Sequence, residues 1–320
     1  MRKVLVTGCA GFIGSHLTEH LLGEGNTVIG IDGFLTNYDV TIKHRNLSSF
    51  INHPRFSFYS SLLQDNQWDQ WLDGVEIVFH QAALPGVRSS WGKAFSTYID
   101  HNVAVTQQLL EACRRVESIQ SIVIASSSSV YGTMKPGFTN EEAPLHPLSP
   151  YGVTKLAMES LCQVYSEAFH LPIVLLRYFT VYGPRQRPDM SFHRFIRQIA
   201  NNEALPIYGD GKQTRDFTFI SDAVMANWLA AKNGKPGEVY NIGGNREVSL
   251  LEVVDCLGEL MGRKPVLQFL PEQMGDSRHT RADISKAQQQ LGYQPKVSLE
   301  TGLQKEVKDL ATLYGLKKFQ

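Results

Sequence analysis

A tyrosine and a lysine at i and i+4 of a helix share one face, so the ammonium can stabilise a phenolate and draw the tyrosine pKa from about 10 toward neutrality. A tyrosinate made in this way is a general base for a hydroxyl group. The chain carries this spacing at Tyr131–Lys135, Tyr151–Lys155, Tyr208–Lys212 and Tyr314–Lys318. Spacing alone does not choose among them. Tyr131, Tyr208 and Tyr314 lie in segments that read as loops or a tail. Tyr151 follows Ser149-Pro150, a helix-start signal, and opens a long helical stretch over 152–169. It also follows, by some two dozen residues, the serine run 126–129 at the end of an expected strand. Ligands bind at the strand ends of a parallel sheet.

A second cluster lies at the start of the chain. Val4-Leu-Val-Thr-Gly8-Cys-Ala-Gly11-Phe12-Ile13-Gly14 reads as a strand, a glycine turn and the opening of a helix. The turn must be tight and its backbone must approach a pyrophosphate, which the free N–H groups of the helix start then receive. The G-x-x-G-x-x-G spacing is one residue longer than the usual fingerprint, so context decides. That context is a preceding strand, a following helix and a second strand ending in Asp32. A carboxylate there accepts hydrogen bonds from adenosine ribose hydroxyls and repels a 2′-phosphate, which favours NAD over NADP. His16-Leu-Thr-Glu19-His20 matches a zinc spacing, but it lies on the helix whose start faces the pyrophosphate and has no evident third ligand. No metal is expected.

These residues need a frame. Strands are expected at 3–7, 27–31, 56–59, 77–81, 121–126 and 173–178, with helical stretches at 15–22, 102–115 and 152–169 between several of them. Strands alternating with helices imply a doubly wound parallel sheet of Rossmann type, covered on both faces. Near Val181 the elements shorten and Gly, Pro and Arg become frequent, before a strand at 238–242 and a helix at 250–261. A dinucleotide-binding domain is expected over 1–180 with a return near 217–245, and a smaller α/β domain over 181–216 and 246–320. The 320 residues carry 31 Lys plus Arg against 31 Asp plus Glu, which argues against broad binding to nucleic acid or a membrane surface. Four scattered cysteines without a C-x-x-C read as free thiols of a cytoplasmic protein.

Motifs along nearly the whole chain resemble the extended short-chain dehydrogenase/reductases, the nucleotide-sugar epimerase/dehydratase family. They are TGCAGFIGSHL, Asp32, His80-Gln-Ala-Ala83, Asn102, SSSSVYG at 126–132, YGVTK at 151–155, LRYFTVYGP at 176–184, GDGKQTRDFTFISD at 209–222 and GDSRHTRADISKA at 275–287. The resemblance implies a catalytic trio: Tyr151 moves the proton, Ser127 shares the hydrogen bond, and Lys155 holds the nicotinamide ribose and tunes Tyr151. It implies that Ala82, Ala83, Asn102 and Tyr178 join the glycine turn and Asp32 around NAD. Ser61 and Leu62 are expected beside the cofactor as well, but they stand where many relatives carry an aspartate for the adenine, so adenine recognition departs from the pattern there.

The resemblance further implies a UDP-sugar lying across the smaller domain, with Arg215 on its diphosphate and Asp276 and Arg278 near its nucleotide. An arginine fork suits phosphate because it is bidentate and always charged. Pro85-Gly-Val-Arg88-Ser-Ser-Trp91 and Tyr182-Gly-Pro-Arg185-Gln-Arg187-Pro-Asp-Met190 resemble the branch acting on UDP-glucuronate. There Arg187, with Thr180 and Ser128, resembles the set holding the uronate carboxylate, an anion costly to bury unpaired. Arg185 and Arg187 could instead contact phosphate or the loops joining the domains. Ser128-Ser129 stands where sugar dehydratases of the family carry Asp-Glu, which disfavours dehydration. The implied reaction is 4-epimerisation of UDP-glucuronate to UDP-galacturonate through a 4-keto sugar, with hydride returned to the opposite face. Decarboxylation of UDP-glucuronate and epimerisation of UDP-glucose or UDP-N-acetylglucosamine stay open, as does, more remotely, a silent NAD sensor. The family also implies a homodimer through 102–115 and 152–169.

Overall fold

The computed structural model describes residues 1–134, 137–272, 275 and 277–316. Its strands are β1 (Lys3–Thr7), β2 (Thr27–Ile31), β3 (Phe56–Tyr59), β4 (Ile77–His80), β5 (Ser121–Ser127), β6 (Ile173–Tyr178), β7 (Thr180–Tyr182), β8 (Leu205–Tyr208), β9 (Thr214–Phe219), β10 (Val239–Ile242), β11 (Glu247–Ser249) and β12 (Leu267–Leu270). Among the described residues, a seven-stranded sheet runs β10-β6-β5-β4-β1-β2-β3, with every pairing parallel. The order reverses beside β1, which makes the carboxyl ends of β1 and β4 the topological switch point where ligands bind in such sheets.

Both faces of the sheet are covered, so its strands are continuously apolar. In β1, Val4 and Val6 pack toward Leu17 and Leu21 of the helix Phe12–Gly23, while Leu5 packs on the other face with Trp71, Leu109 and Met158. The helix Ile220–Asn233 contributes Ile220 and Ala223 to the first face. With β10 at the sheet edge, the chain thus re-enters the sheet layers after β9. The helix Pro150–Phe169 begins as the sequence predicts: the Ser149 side chain accepts from Gly152 N, and Pro150 occupies the first turn, where its missing N–H costs nothing.

A smaller layer stands beyond the carboxyl ends. It contains a three-stranded sheet, β11-β9-β7, and a parallel pair, β12-β8. The helices Ser191–Ala200, Leu250–Met261 and Leu299–Tyr314 pack around it. Two side chains tie this layer to the large sheet's helices: Arg185 Nη2 donates to Glu19 at 2.9 Å, and Arg45 Nη2 to Asp309 at 2.5 Å. Arg185 therefore joins the layers.

Three elements differ from the sequence reading. The first helix starts at Phe12, not 15, because Gly11 already serves as its N-cap. The stretch expected as one regular helix over 102–115 enters through a π-helical segment, Ile99–Ala104, before Val105–Cys113. A 3.6-residue pattern cannot register such a widening, and π turns concentrate at functional sites. Tyr314 ends a 16-residue helix rather than sitting in a loose tail, with its hydroxyl 2.8 Å from His193 Nε2. Among the described residues, no helix is long and apolar enough to cross a membrane.

Candidate active site

The glycine turn packs as closely as its composition requires. Gly8 has φ +71°, and a Cβ there would come within 2.9 Å of the Ala82 backbone across the switch point. A Cβ on Gly14 would strike Gly8 O at 2.1 Å. Thr7 supports the same junction: its hydroxyl accepts from Ala82 N and meets His80 Nδ1 at 2.9 Å. Burial holds His80 neutral, at a pKa of about 3, with the Lys155 charge adding to the effect. It is a structural brace.

Here a cleft opens at the switch point. Gly8, Gly11, Phe12, Ile13 and Gly14 line one end, where the helix start offers its free N–H groups. Asp32 lies beside them and is already fixed: it accepts from Ala10 N at 3.1 Å and Phe34 N at 2.9 Å, with Lys43 Nζ 3.9 Å away. Leu62, Ala82, Ala83, Tyr178, Tyr151 and Lys155 also line the cleft. Two expected cofactor residues are turned to other work. Ser61 donates to Asp65 at 2.5 Å, closing the short turn Leu63–Asp65, and leaves the wall to Leu62 and Leu63. Asn102 is buried behind the wall, where it accepts from Leu84 N at 2.7 Å and donates to Leu84 O and to Thr154. It holds the strand-end loop against the helix Pro150–Phe169 and does not itself line the cleft.

At the other end of the cleft, Tyr151 sits with its backbone N–H on Ser90 Oγ at 3.0 Å. Burial pushes its phenol up; the Ser127 hydrogen bond and the Arg187 charge draw it back down. Lys155 Nζ donates to Ala125 O at 2.7 Å. Burial lowers Lys155 to about 8, against the raising effect of Glu159. Lys155 and the carbonyl of β5 thus fix the helix Pro150–Phe169 to the sheet.

Beneath this pair lies a buried network that sequence reasoning did not find. Arg177 Nη2 donates to Glu159 Oε2 at 2.7 Å, its Nη1 to the Tyr131 hydroxyl at 2.8 Å, and Tyr131 to Asn241 Oδ1 at 2.7 Å. Ser126 also donates to Glu159. Glu159 follows Lys155 by one helical turn, a spacing visible in the sequence; its partner Arg177 comes from β6 and was not. Of the other Tyr–Lys pairs, Tyr131 is committed to this network, and Lys135 and Lys318 lie outside the described residues.

The expected substrate residues divide between the cleft and two adjoining hollows. Arg187 lines the cleft itself, near Tyr38 and Tyr151. Ser128 and Thr180 line one hollow with Val87, Ser149 and Arg215, and Arg215 and Arg278 line the next with Tyr208 and Glu272. Arg88 lies over the Tyr208 ring, 4.5 Å from its centroid. Arg278 Nη2 donates to Asp210 at 2.6 Å. Asp276 lies outside the described residues. Of the set expected to hold a carboxylate, Arg187 lines the cleft, and Ser128 and Thr180 line the adjoining hollow. Of the zinc-like spacing, His16 Nε2 meets Pro184 O at 2.9 Å and Glu19 pairs with Arg185, so both serve the junction of the layers.

Residues 4–243 match the family described as NAD dependent epimerase/dehydratase. The chain belongs to that family. Among its relatives is an uncharacterized UDP-glucose epimerase of Bacillus subtilis, 51% identical over 98% of this chain and 99% of that one. A UDP-glucuronate 4-epimerase of Thermodesulfobacterium geofontis is 38% identical over 96% and 95%. The UDP-glucuronic acid 4-epimerase of Bacillus cereus, solved with UDP-glucuronic acid and NAD, is 47% identical, covers 98% of this chain and 100% of its own, and superposes with a TM-score of 0.95. In this epimerase/dehydratase chain, the residues missed from sequence are Tyr38, Lys43, Gln81 and Ser126 on the cleft wall, with Glu159 below it. Lys43 could have been sought eleven residues beyond Asp32, but no local pattern marks it.

Proposed function

We propose that this protein is an NAD-dependent 4-epimerase of a UDP-sugar that interconverts UDP-glucuronate and UDP-galacturonate. The observation that carries the reading is the position of Tyr151, in the cleft that the glycine turn and Asp32 also line, in hydrogen-bonding range of Ser127 and close to the Arg187 charge. When bound, NAD supplies an acceptor and donor of hydride for C4 of the sugar. Tyr151 takes the C4 hydroxyl proton and returns it, which is general base and then general acid work. Ser127 shares the hydrogen bond to the same oxygen. Lys155 holds the ribose of the cofactor, with Asp32 on the adenosine ribose and the helix start at Phe12 on the pyrophosphate. Arg215 and Arg278 receive the nucleotide and diphosphate.

Arg187 is the group reserved for the sugar carboxylate. A 4-keto uronate is a β-keto acid, and it loses carbon dioxide when the carboxylate aligns with the ketone. A guanidinium that fixes the carboxylate out of alignment suppresses that loss. The test is incubation of purified protein with UDP-glucuronate and NAD, followed by product analysis. UDP-galacturonate without carbon dioxide is expected; stoichiometric carbon dioxide with a UDP-pentose would make it a decarboxylase. Equal efficiency on UDP-glucose would favour the activity named for the Bacillus subtilis relative and remove the role given to Arg187.

We also assign the cofactor to the unit 1–180 with its return near 217–245, and the UDP-sugar to 181–216 and 246–320. Pairing of two copies through the helix Pro150–Phe169 is supported by Val153 and Val164, which face outward at 44% and 57% exposure. A cytoplasmic setting is supported by four cysteines that stand unpaired.

A further inference from the structure

The fork of Arg187 already holds a carboxylate. Its Nε donates to Asp189 Oδ1 and its Nη2 to Asp189 Oδ2, each at 3.0 Å. This is the two-pronged geometry with which a guanidinium would take a sugar carboxylate. The surrounding backbone is pinned. Arg185 N donates to Asp309 at 2.9 Å, buried Gln186 accepts from His193 N at 3.0 Å, and Met190 N closes a turn onto Arg187 O at 3.1 Å. Any exchange of partners must therefore be a side-chain movement. The pair is also asymmetric: the Arg187 side chain is 20% exposed and that of Asp189 49%, so the carboxylate is the member that regains water readily. Arg187 lines the cleft beside Tyr151, whereas Ser128 and Thr180 line the adjoining hollow.

We propose that Asp189 is an internal competitor for Arg187, an ion-pair latch that a nucleotide-linked uronate opens by substituting its own carboxylate. The proposal rests on the uronate reading above and names the residue that limits uronate affinity. A sugar with a neutral hydroxymethyl group cannot replace a carboxylate on a guanidinium, because the buried charge would be left unpaired. A uronate exchanges one charge-assisted pair for another. It then spends part of its binding energy releasing Asp189, so the latch lowers uronate affinity while keeping Arg187 from standing uncompensated in the cleft.

The experiment compares wild type, Asp189→Asn and Asp189→Ala, each loaded with NAD, by calorimetric titration with UDP-glucuronate and with UDP-glucose. Both variants are expected to bind UDP-glucuronate about three- to tenfold more tightly, as suits loss of a partly exposed charged competitor, with UDP-glucose changed less than about twofold. Asp189→Glu is expected to restore the wild-type ratio, and thermal melting confirms that each variant is folded. Uronate binding equal to or weaker than wild type, or parallel shifts for both nucleotides, overturns the latch. The reading beneath it fails separately: wild-type protein that does not epimerise UDP-glucuronate would remove it whatever the variants do, whereas failure of the latch leaves wild-type turnover intact.

Discussion

The cleft at the switch point and the hollows beside it are built on opposite plans. The cleft is backbone and buried polar structure: a glycine turn in contact with Ala82, Asp32 fixed by two amides, Lys155 on a β5 carbonyl. The expected substrate side depends on arginines already paired within the chain, mostly buried Arg187 with Asp189 and half-exposed Arg278 with Asp210 and Glu272. The first region is preorganised, so its ligand pays little to order it. The second must exchange partners when a ligand arrives. That contrast suits a protein whose proposed cofactor stays while its substrate and product come and go.

The comparison can be broken by variants. The largest effect is expected from Tyr151→Phe, which removes the proposed base without altering either region's framework. Turnover should fall by about 10²- to 10⁴-fold, while calorimetry finds NAD and UDP-sugar affinities nearly unchanged. Next is Asp32→Asn, which weakens charged hydrogen bonds in the rigid region. NAD affinity should drop by about tenfold or more and discrimination against NADP should shrink, with UDP affinity unaffected.

A smaller effect concerns pH. Lys155 sits at about 8 instead of its ordinary value because burial disfavours its charge. The folded state therefore holds this proton less firmly than the unfolded one. Between about 8 and the ordinary lysine pKa of about 10.4 the unfolded chain binds more protons, so the cost of the buried charge is relieved as pH rises through that window. If the charged form grips the ribose, NAD affinity should instead decline several-fold as pH rises past about 8, and Lys155→Arg, always charged, should flatten that decline. The smallest change is expected from Arg278→Ala, whose half-exposed pairs are worth little. UDP affinity should weaken by about two- to fivefold, with NAD affinity constant. An equal loss of NAD affinity would mean that the two regions are not separable.

What the sequence revealed follows the same division. The glycine turn, Asp32 and Tyr151 are legible because their requirements are local: a tight turn, a strand end, a helix start after Ser149-Pro150. The parallel sheet was legible because its strands are apolar runs separated by helices. Ser61 and Asn102 were not, since their partners, Asp65 and the Leu84 backbone, are set by a 3₁₀ turn and a π-helical widening that leave no periodic mark. The pairing of Lys155 with Ala125 O was hidden too, because a backbone carbonyl carries no residue identity. Arg187 was visible as a charge, but its bond to Asp189, two residues on, depends on a turn whose geometry only the fold supplies.

The central claim is that C4 of the sugar is oxidised and re-reduced without exchange while Tyr151 handles only the proton. It is tested most directly with UDP-glucuronate deuterated at C4, incubated in ordinary water with the NAD-loaded protein. The account predicts UDP-galacturonate retaining the deuterium at C4. Loss of the label to solvent, or its recovery in a UDP-pentose, would contradict it.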